Sequence, residues 1–189
     1  LAACGEPASE PSEAPASEAP ASEAPASEEP AAESDMAYVQ EKGSLIVGIT
    51  EFEPMDYQNE AGEWIGFDAD LARAFADSLG VEAVFQVIEW DNKVMELDGK
   101  TIDVVWNGMT LTDEVLSNAY CNNAQVVILP ADSAEDYPDA ASMSELNFAV
   151  ESGSAGEAMA IENGFNYTPV VDQATAVLEV SAGTADAAI

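Results

Sequence analysis

Histidine is absent from this 189-residue sequence, and only Lys42, Arg73, Lys93 and Lys100 are basic, against 37 acidic side chains. Without histidine there are no histidine triads, no imidazole metal ligands and few general bases that work near neutrality. Four scattered cations cannot neutralise a phosphate backbone, so nucleic acid is excluded as a partner. A formal charge of −33 also repels anionic membrane surfaces and keeps the chain soluble. No apolar run approaches the ~18 residues that span a bilayer. Cysteine occurs only at Cys4 and Cys121, which is too few for a disulfide framework.

What is present divides sharply by composition. Leu1-Ala2-Ala3-Cys4-Gly5 places small residues before a cysteine and resembles a bacterial lipobox. The resemblance implies lipidation of Cys4 after signal-peptide cleavage, so residues 1–4 are read as a signal-peptide remnant and lipobox. Residues 5–37 follow an Ala-Ser-Glu-Ala-Pro pattern of period five, with Pro7, Pro11, Pro15, Pro20, Pro25 and Pro30. Residues 6–35 lack aromatic and β-branched side chains, cannot bury a core, and read as a disordered acidic tether. If Cys4 carries lipid, Cys121 has no partner within the sequence; it is either a buried thiol or pairs elsewhere.

A globular pattern begins at Met36-Ala37-Tyr38-Val39. Leu45 to Ile49 reads as a buried strand. Asp68 is expected to cap a helix whose face carries Leu71, Phe75 and Leu79, widened by Ala72 and Ala76 and stopped by Gly80. Strands are expected at 81–88, 102–106 and 125–129, with a short helix at 91–97. After Pro130 and a polar stretch, the pattern resumes with a strand ending at Val150, the small-residue loop Ser152-Gly153-Ser154-Ala155, and a helix closing near Gly164. A strand at 167–171, a helix at 174–182 and a strand beginning at Ala185 follow. Alternating strands and helices indicate α/β units with mainly parallel sheets. The second unit is expected to be cut short at Ile189.

Trp106-Asn107-Gly108-Met109-Thr110-Leu111-Thr112-Asp113-Glu114 sits where the strand at 102–106 turns into a loop. A glycine there lets a ligand approach the backbone, and two threonines add hydroxyl and amide donors. This stretch resembles the Gly-Met-Thr-x-Thr-x-Glu-Arg pattern of extracellular amino-acid-binding proteins of ABC importers. Further pieces fall in register: Phe52-Glu53-Pro54, Gly66-Phe67-Asp68-Ala69-Asp70-Leu71-Ala72, Trp90-Asp91-Asn92-Lys93 and Gly183-Thr184-Ala185-Asp186-Ala187. The resemblance implies a two-lobed α/β fold of the periplasmic-binding-protein type with hinge strands, the first lobe at 38–127 and the hinge and second lobe at 128–189. It also implies that the second lobe and its C-terminal return are incomplete.

By that resemblance Phe52 and Trp90 pack on the bound side chain, and their faces suit a cationic group. Gly108 would accept from the ligand ammonium, and Thr110, beside Met109, would donate to the carboxylate. Ser152, Gly153, Ser154 and Ala155 open a helix whose amides favour an anion, which the family uses from the second lobe on closure. The bland readings are core aromatics at Phe52 and Trp90, an ordinary turn at Gly108 to Thr110, and ordinary helix capping at Ser152 or Ser154. Thr112 reads as a helix cap before Asp113 and Glu114. One position departs from the family: Val115 stands where an arginine pairs with the ligand carboxylate, so the loop after Val150 is expected to carry more of that work. Glu151 beside it favours a cationic or amino-bearing side chain on the ligand. Asp68 and Asp70 lack the spacing of a calcium loop.

The expectation is therefore a monomeric, lipid-anchored, extracytoplasmic solute-binding protein that delivers a small polar solute, an amino acid, to an ABC permease. It needs no cofactor, metal or catalytic residue. The alternatives are a ligand-sensing receptor domain, an enzyme on the same scaffold (a dehydratase or a lytic enzyme), and a surface adhesin.

Overall fold

The computed structural model describes residues 34–112 and 117–189. Cys4, residues 5–33 of the expected tether, and Val115, with Asp113 and Glu114, lie outside the described residues, whereas residues 35–37, expected to be tether, are helical.

The first sheet is built from β1 (Ser44–Ile49), β4 (Glu82–Val87) and β5 (Val104–Val105), all parallel, in the order β4-β1-β5. A short antiparallel pair, β2 (Tyr57–Gln58) and β3 (Trp64–Ile65), precedes α2 (Phe67–Leu79), and α3 (Lys93–Asp98) leads into β5. The second sheet repeats the scheme: β6 (Asn147–Glu151) lies between β7 (Asn166–Val170) and β8 (Ala187–Ala188), with α4 (Ala155–Asn163) and α5 (Gln173–Ala182) as crossovers. Parallel strands need such crossovers, and the central strand buried on both faces reads as continuous apolar sequence. Val47 and Ile49 in β1, and Phe148 and Val150 in β6, are fully buried accordingly. In each sheet the order reverses at the first strand, so a crevice opens beyond the carboxyl ends of the central strand and its neighbours.

Five details depart from the sequence reading. A helix, α1 (Asp35–Lys42), opens the described region; only Val39 of it is buried, so no apolar stripe announced it. The buried face of α2 is Ala69, Ala72 and Ala76, whereas Phe75 is exposed and packs on Trp106 at 5.5 Å. Alanines let the helix axis approach β1 and β4, which larger side chains would hold off. The Asp68 cap is not formed: Gly66 occupies the N-cap with φ +117°, and Asp68 is a buried residue of the first turn. A Cβ at Gly66 would lie 2.4 Å from the Met55 carbonyl oxygen, so the helix starts where only glycine fits. The expected strand at 125–129 reduces to one antiparallel bridge, Ile128 to Ala188, because no neighbour pairs the rest of it. Cys121 is an exposed free thiol, not a buried one.

Candidate functional site

Residues that immediately follow the strands converge at the carboxyl ends of both sheets. Thr50 and Glu51 after β1, Ile88 and Glu89 after β4, and Val171 and Asp172 after β7 line a cavity of about 300 Å³. An adjoining cavity of about 350 Å³ is lined by Glu89, Trp90 and Asp91 from the first sheet's side and Ser152, Val170 and Val171 from the second. These volumes sit at the lower end of the range for small-molecule sites, roughly 300 Å³ upward. Glu51, Glu89, Asp91 and Asp172 are among the residues that line this space, with no basic residue among them, so its field favours a cationic group.

The expected site residues fall into two groups. Phe52 and Gly108 are brought together: a Cβ on Gly108 would lie 2.7 Å from the Phe52 ring. Phe52 is itself held in a tight turn, exchanging backbone bonds with Asp56 at 2.7 and 2.9 Å. Met109 and Thr110 follow, half-buried. The Gly108 carbonyl accepts from Asn123 Nδ2 at 3.4 Å, and the Thr110 hydroxyl accepts from Asn123 at 2.9 Å and Gln125 at 3.2 Å. Both donors are exposed side chains that a ligand can replace.

The second group is Trp90 with the loop after β6. Trp90 is buried, and Gly153 approaches so closely that a Cβ there would lie 2.7 Å from Asp91 Cα. The loop amides are already engaged: Ser152 donates to Val170 O at 3.0 Å, Gly153 to Glu157 Oε2 at 2.7 Å, and Ser154 to Glu151 O at 3.2 Å. Ser154 also caps α4 through its hydroxyl, which accepts from Glu157 N at 3.1 Å, and Ala155 is the first helical residue. A carboxylate thus sits on the Gly153 amide, but it belongs to the protein. Phe52, Gly108, Met109 and Thr110 line neither of the two cavities, which are walled by the second group and the strand ends.

Three features escaped the sequence reading, and a fourth residue is read there only as a charge beside the loop. Asn107, buried, clasps Thr50 twice: it accepts from Thr50 N at 3.2 Å and donates to Thr50 Oγ1 at 2.7 Å, so the ends of β1 and β5 move as one. Asp56 and Asp68 are fully buried in the first unit. Burial, then the neighbouring Asp68, pushes the Asp56 carboxyl up to about 8. Burial also raises Asp68, while the Tyr120 hydroxyl, donating at 2.7 Å, and the Gly108 amide pull it back. Burial and the Asp68 carboxylate drive the Tyr120 phenol upward in turn. Asp68 thereby ties α2 to the Gly108 turn. Lys93 is the third feature, with its ammonium over the Trp90 ring at 4.9 Å and donating to Trp90 O at 3.2 Å and Gly153 O at 3.0 Å. Glu151 is the fourth. Its burial lifts the carboxyl to about 7, countered by the Gln173 amide, which donates at 3.2 Å, while Asp172 raises it and Lys93 lowers it.

A usable signal existed for two of these. An asparagine between a strand and a glycine is a natural strand-end clasp, and a lysine three residues after Trp90 faces the same side of a turn. Nothing in the sequence marked Asp56 as buried. Among the described residues, no cluster of three or more histidine, cysteine, aspartate or glutamate side chains could hold a metal, and no helix is long and apolar enough to cross a membrane.

Comparison with known proteins agrees with this fold. Residues 45–185 match the model of bacterial extracellular solute-binding proteins, family 3. The L-cystine-binding protein of Escherichia coli K12 is 40% identical over 77 residues, covering 40% of this chain and 29% of that protein. Cyclohexadienyl dehydratase of Pseudomonas aeruginosa is 32% identical over 83 residues, covering 43% of this chain and 31% of the enzyme. These matched segments span about a third of the relatives' own length. Among solved structures, a mutant arginine-binding protein of T. maritima superposes with TM-score 0.76 at 30% identity, over 82% of this chain and 71% of that one. A Streptococcus pneumoniae substrate-binding protein bound to L-arginine gives TM-score 0.77 at 28% identity, over 82% and 69%. The architecture is the α/β periplasmic-binding-protein-like fold.

Proposed function

We propose, from the premise that this chain belongs to family 3 of the bacterial extracellular solute-binding proteins, that it captures an amino acid and delivers it to an ABC permease. The observation that carries the reading is the acidic space at the carboxyl ends of both sheets, walled by Trp90 and reached by the loop after β6. Relatives named for cystine and arginine binding, and a structure bound to L-arginine, support an amino acid as the solute. Glu51, Glu89, Asp91 and Asp172 favour one with a cationic side chain.

The mechanism is hinge closure, with Phe52, Gly108, Met109 and Thr110 offering the first surface and Ser152, Gly153, Ser154 and Ala155 the second. A ligand of about ten heavy atoms, at no more than ~1.5 kcal/mol each, readily supplies the ~8 kcal/mol of micromolar affinity. Cys4 carries a lipid, and the acidic segment at 5–37 spaces the binding unit from the membrane surface. The protein acts outside the cytoplasm as a monomer and without a cofactor. Thermal-shift screening of the full-length protein against the common L-amino acids tests this, with a stabilising hit expected from L-arginine or another cationic amino acid.

A dehydratase is the second reading, favoured by the dehydratase relative and by Glu151, a buried carboxyl lifted to about 7 next to the cavity-lining Ser152. Turnover of cyclohexadienyl substrates would establish it and displace the binding role.

A further inference from the structure

The two sheet units touch directly beside the cleft, and Lys93 stands at that contact. It opens α3 in the first unit, one turn after Trp90, and is 9% exposed. Its ammonium lies over the Trp90 ring at 4.9 Å and donates to Trp90 O at 3.2 Å within its own turn. It also donates to Gly153 O at 3.0 Å, and Gly153 belongs to the loop after β6 in the second unit. The Gly153 backbone itself lies against the first unit: a Cβ there would sit 2.6 Å from Asp91 Oδ1 and 2.7 Å from Asp91 Cα. Trp90 and Asp91 on one side and Ser152 on the other wall the cavity of about 350 Å³, so Lys93 joins those walls from outside it. Among the described residues no carboxylate lies within ion-pair distance of Lys93, and a buried ammonium then depends on its hydrogen bonds. The amides of the loop are bound within the second unit, which leaves the Gly153 carbonyl to reach across. Opening the cleft hands that bond to water, so closure gains one charge-assisted hydrogen bond, about tenfold in the equilibrium.

We propose that Lys93 is a positioning residue of the binding site, a latch that holds the two walls of the cleft together so that part of the population is closed before a solute arrives. This rests on the hinge-closure reading above. The latch touches no solute. It raises the fraction of molecules already closed, and apparent affinity scales with that fraction. Lys93 therefore sets how tightly a solute is held, while the residues that line the cavities decide which solute it is.

The test is energy transfer in the full-length protein between dyes on Asp77→Cys in α2 and Glu162→Cys in α4, with Cys4 and Cys121 replaced by serine. With Lys93 in place, the ligand-free protein is expected to show a short-distance population beside a long-distance one. Lys93→Met is expected to lower the ligand-free short-distance population about tenfold and to weaken L-arginine by the same factor in calorimetric titration. Saturating L-arginine should still bring that variant to the wild-type short distance. Lys93→Arg keeps the charge and the donors and is expected to stay within about threefold of wild type on both readings. An unchanged ligand-free population in Lys93→Met overturns the proposal, as does a protein with Lys93 in place that shows no short-distance population before ligand. A loss of affinity without a matching fall in that population overturns it too. Should Lys93→Met fail to fold, Lys93→Gln decides by the same readings, because its shorter amide serves the Trp90 carbonyl within its own turn and falls short of Gly153 O. If the protein binds no amino acid, the functional reading falls, and the ligand-free populations still judge the latch.

Discussion

The turn at Gly108 and the loop at Gly153 are both glycine-centred, both follow a strand, and both were expected to hold a ligand, yet they are built in opposite ways. The Gly108 turn is braced from below. Asn107 clasps Thr50, Asp68 reaches up from α2 with Tyr120, and the Phe52 ring fills the space a Cβ would need. Among the described residues, its outward acceptors are met by the exposed side chains of Asn123 and Gln125. The Gly153 loop is instead closed on itself: its amides are bound to backbone carbonyls and to Glu157, and its carbonyl to Lys93. A rigid base with replaceable partners suits a first docking surface. A loop that has met its own needs can contribute shape and charge, but it gives up an internal bond for every new one. An anion bound at that loop would have to displace bonds the loop now makes to itself and to Glu157.

The largest effect expected from breaking the contrast is at Gly153. Its φ of +70° disfavours any side chain, and a Cβ would collide with Asp91 Oδ1 at 2.6 Å. Gly153→Ala should cost on the order of 2 kcal/mol in urea unfolding, with amino-acid binding lost. A variant as stable as wild type would show that the loop is looser than this geometry. Gly108→Ala should be milder for stability, under about 1 kcal/mol, because the Phe52 ring can turn aside. Its ligand affinity should nevertheless fall about tenfold, measured by titration with L-arginine.

Next is pH. Asp56 titrates near 8 in the folded protein and lower when unfolded, so folding takes up protons between those values. Its contribution is most favourable below the unfolded value and is lost as pH rises through about 8. Asp56→Asn should flatten the decline in melting temperature between pH 5 and 9, and an unchanged slope would assign the decline to other groups. The smallest effect is at Glu157: Glu157→Ala frees the Gly153 amide and should raise affinity for carboxylate ligands about threefold. A fall instead would mean that Glu157 organises the loop for binding and does not compete with the ligand.

Much of the fold could be read from the sequence because its rules are local. Buried parallel strands such as Leu45 to Ile49 are unbroken apolar runs, and Gly80, Gly164 and Gly183 end helices in the left-handed conformation. Helix faces were harder. The contact face of α2 is made of alanines, which carry little hydrophobic signal, so the eye goes to Phe75 instead. The strand expected at 125–129 had the right alternation, but pairing depends on a neighbour, and the run itself does not record one. Within the site, the sequence paired Phe52 with Trp90 on the ligand, whereas the fold sets Phe52 against Gly108 and Trp90 in the cavity by the loop after β6. It named Glu151 only as a charge beside the loop and Lys93 only within a motif, because the burial of each is set by the fold around it and not by its neighbours in sequence. The same holds for Asp56, one carboxylate among 37 acidic residues.

Capture by closure is the central claim, and a distance across the two units tests it directly. Dyes placed at exposed Asp77 on α2 and Glu162 on α4, in a background lacking the exposed Cys121 thiol, report that distance by energy transfer. Saturating L-arginine is expected to shift the population toward a single, shorter distance. Binding of the same ligand with no change in transfer efficiency would contradict closure.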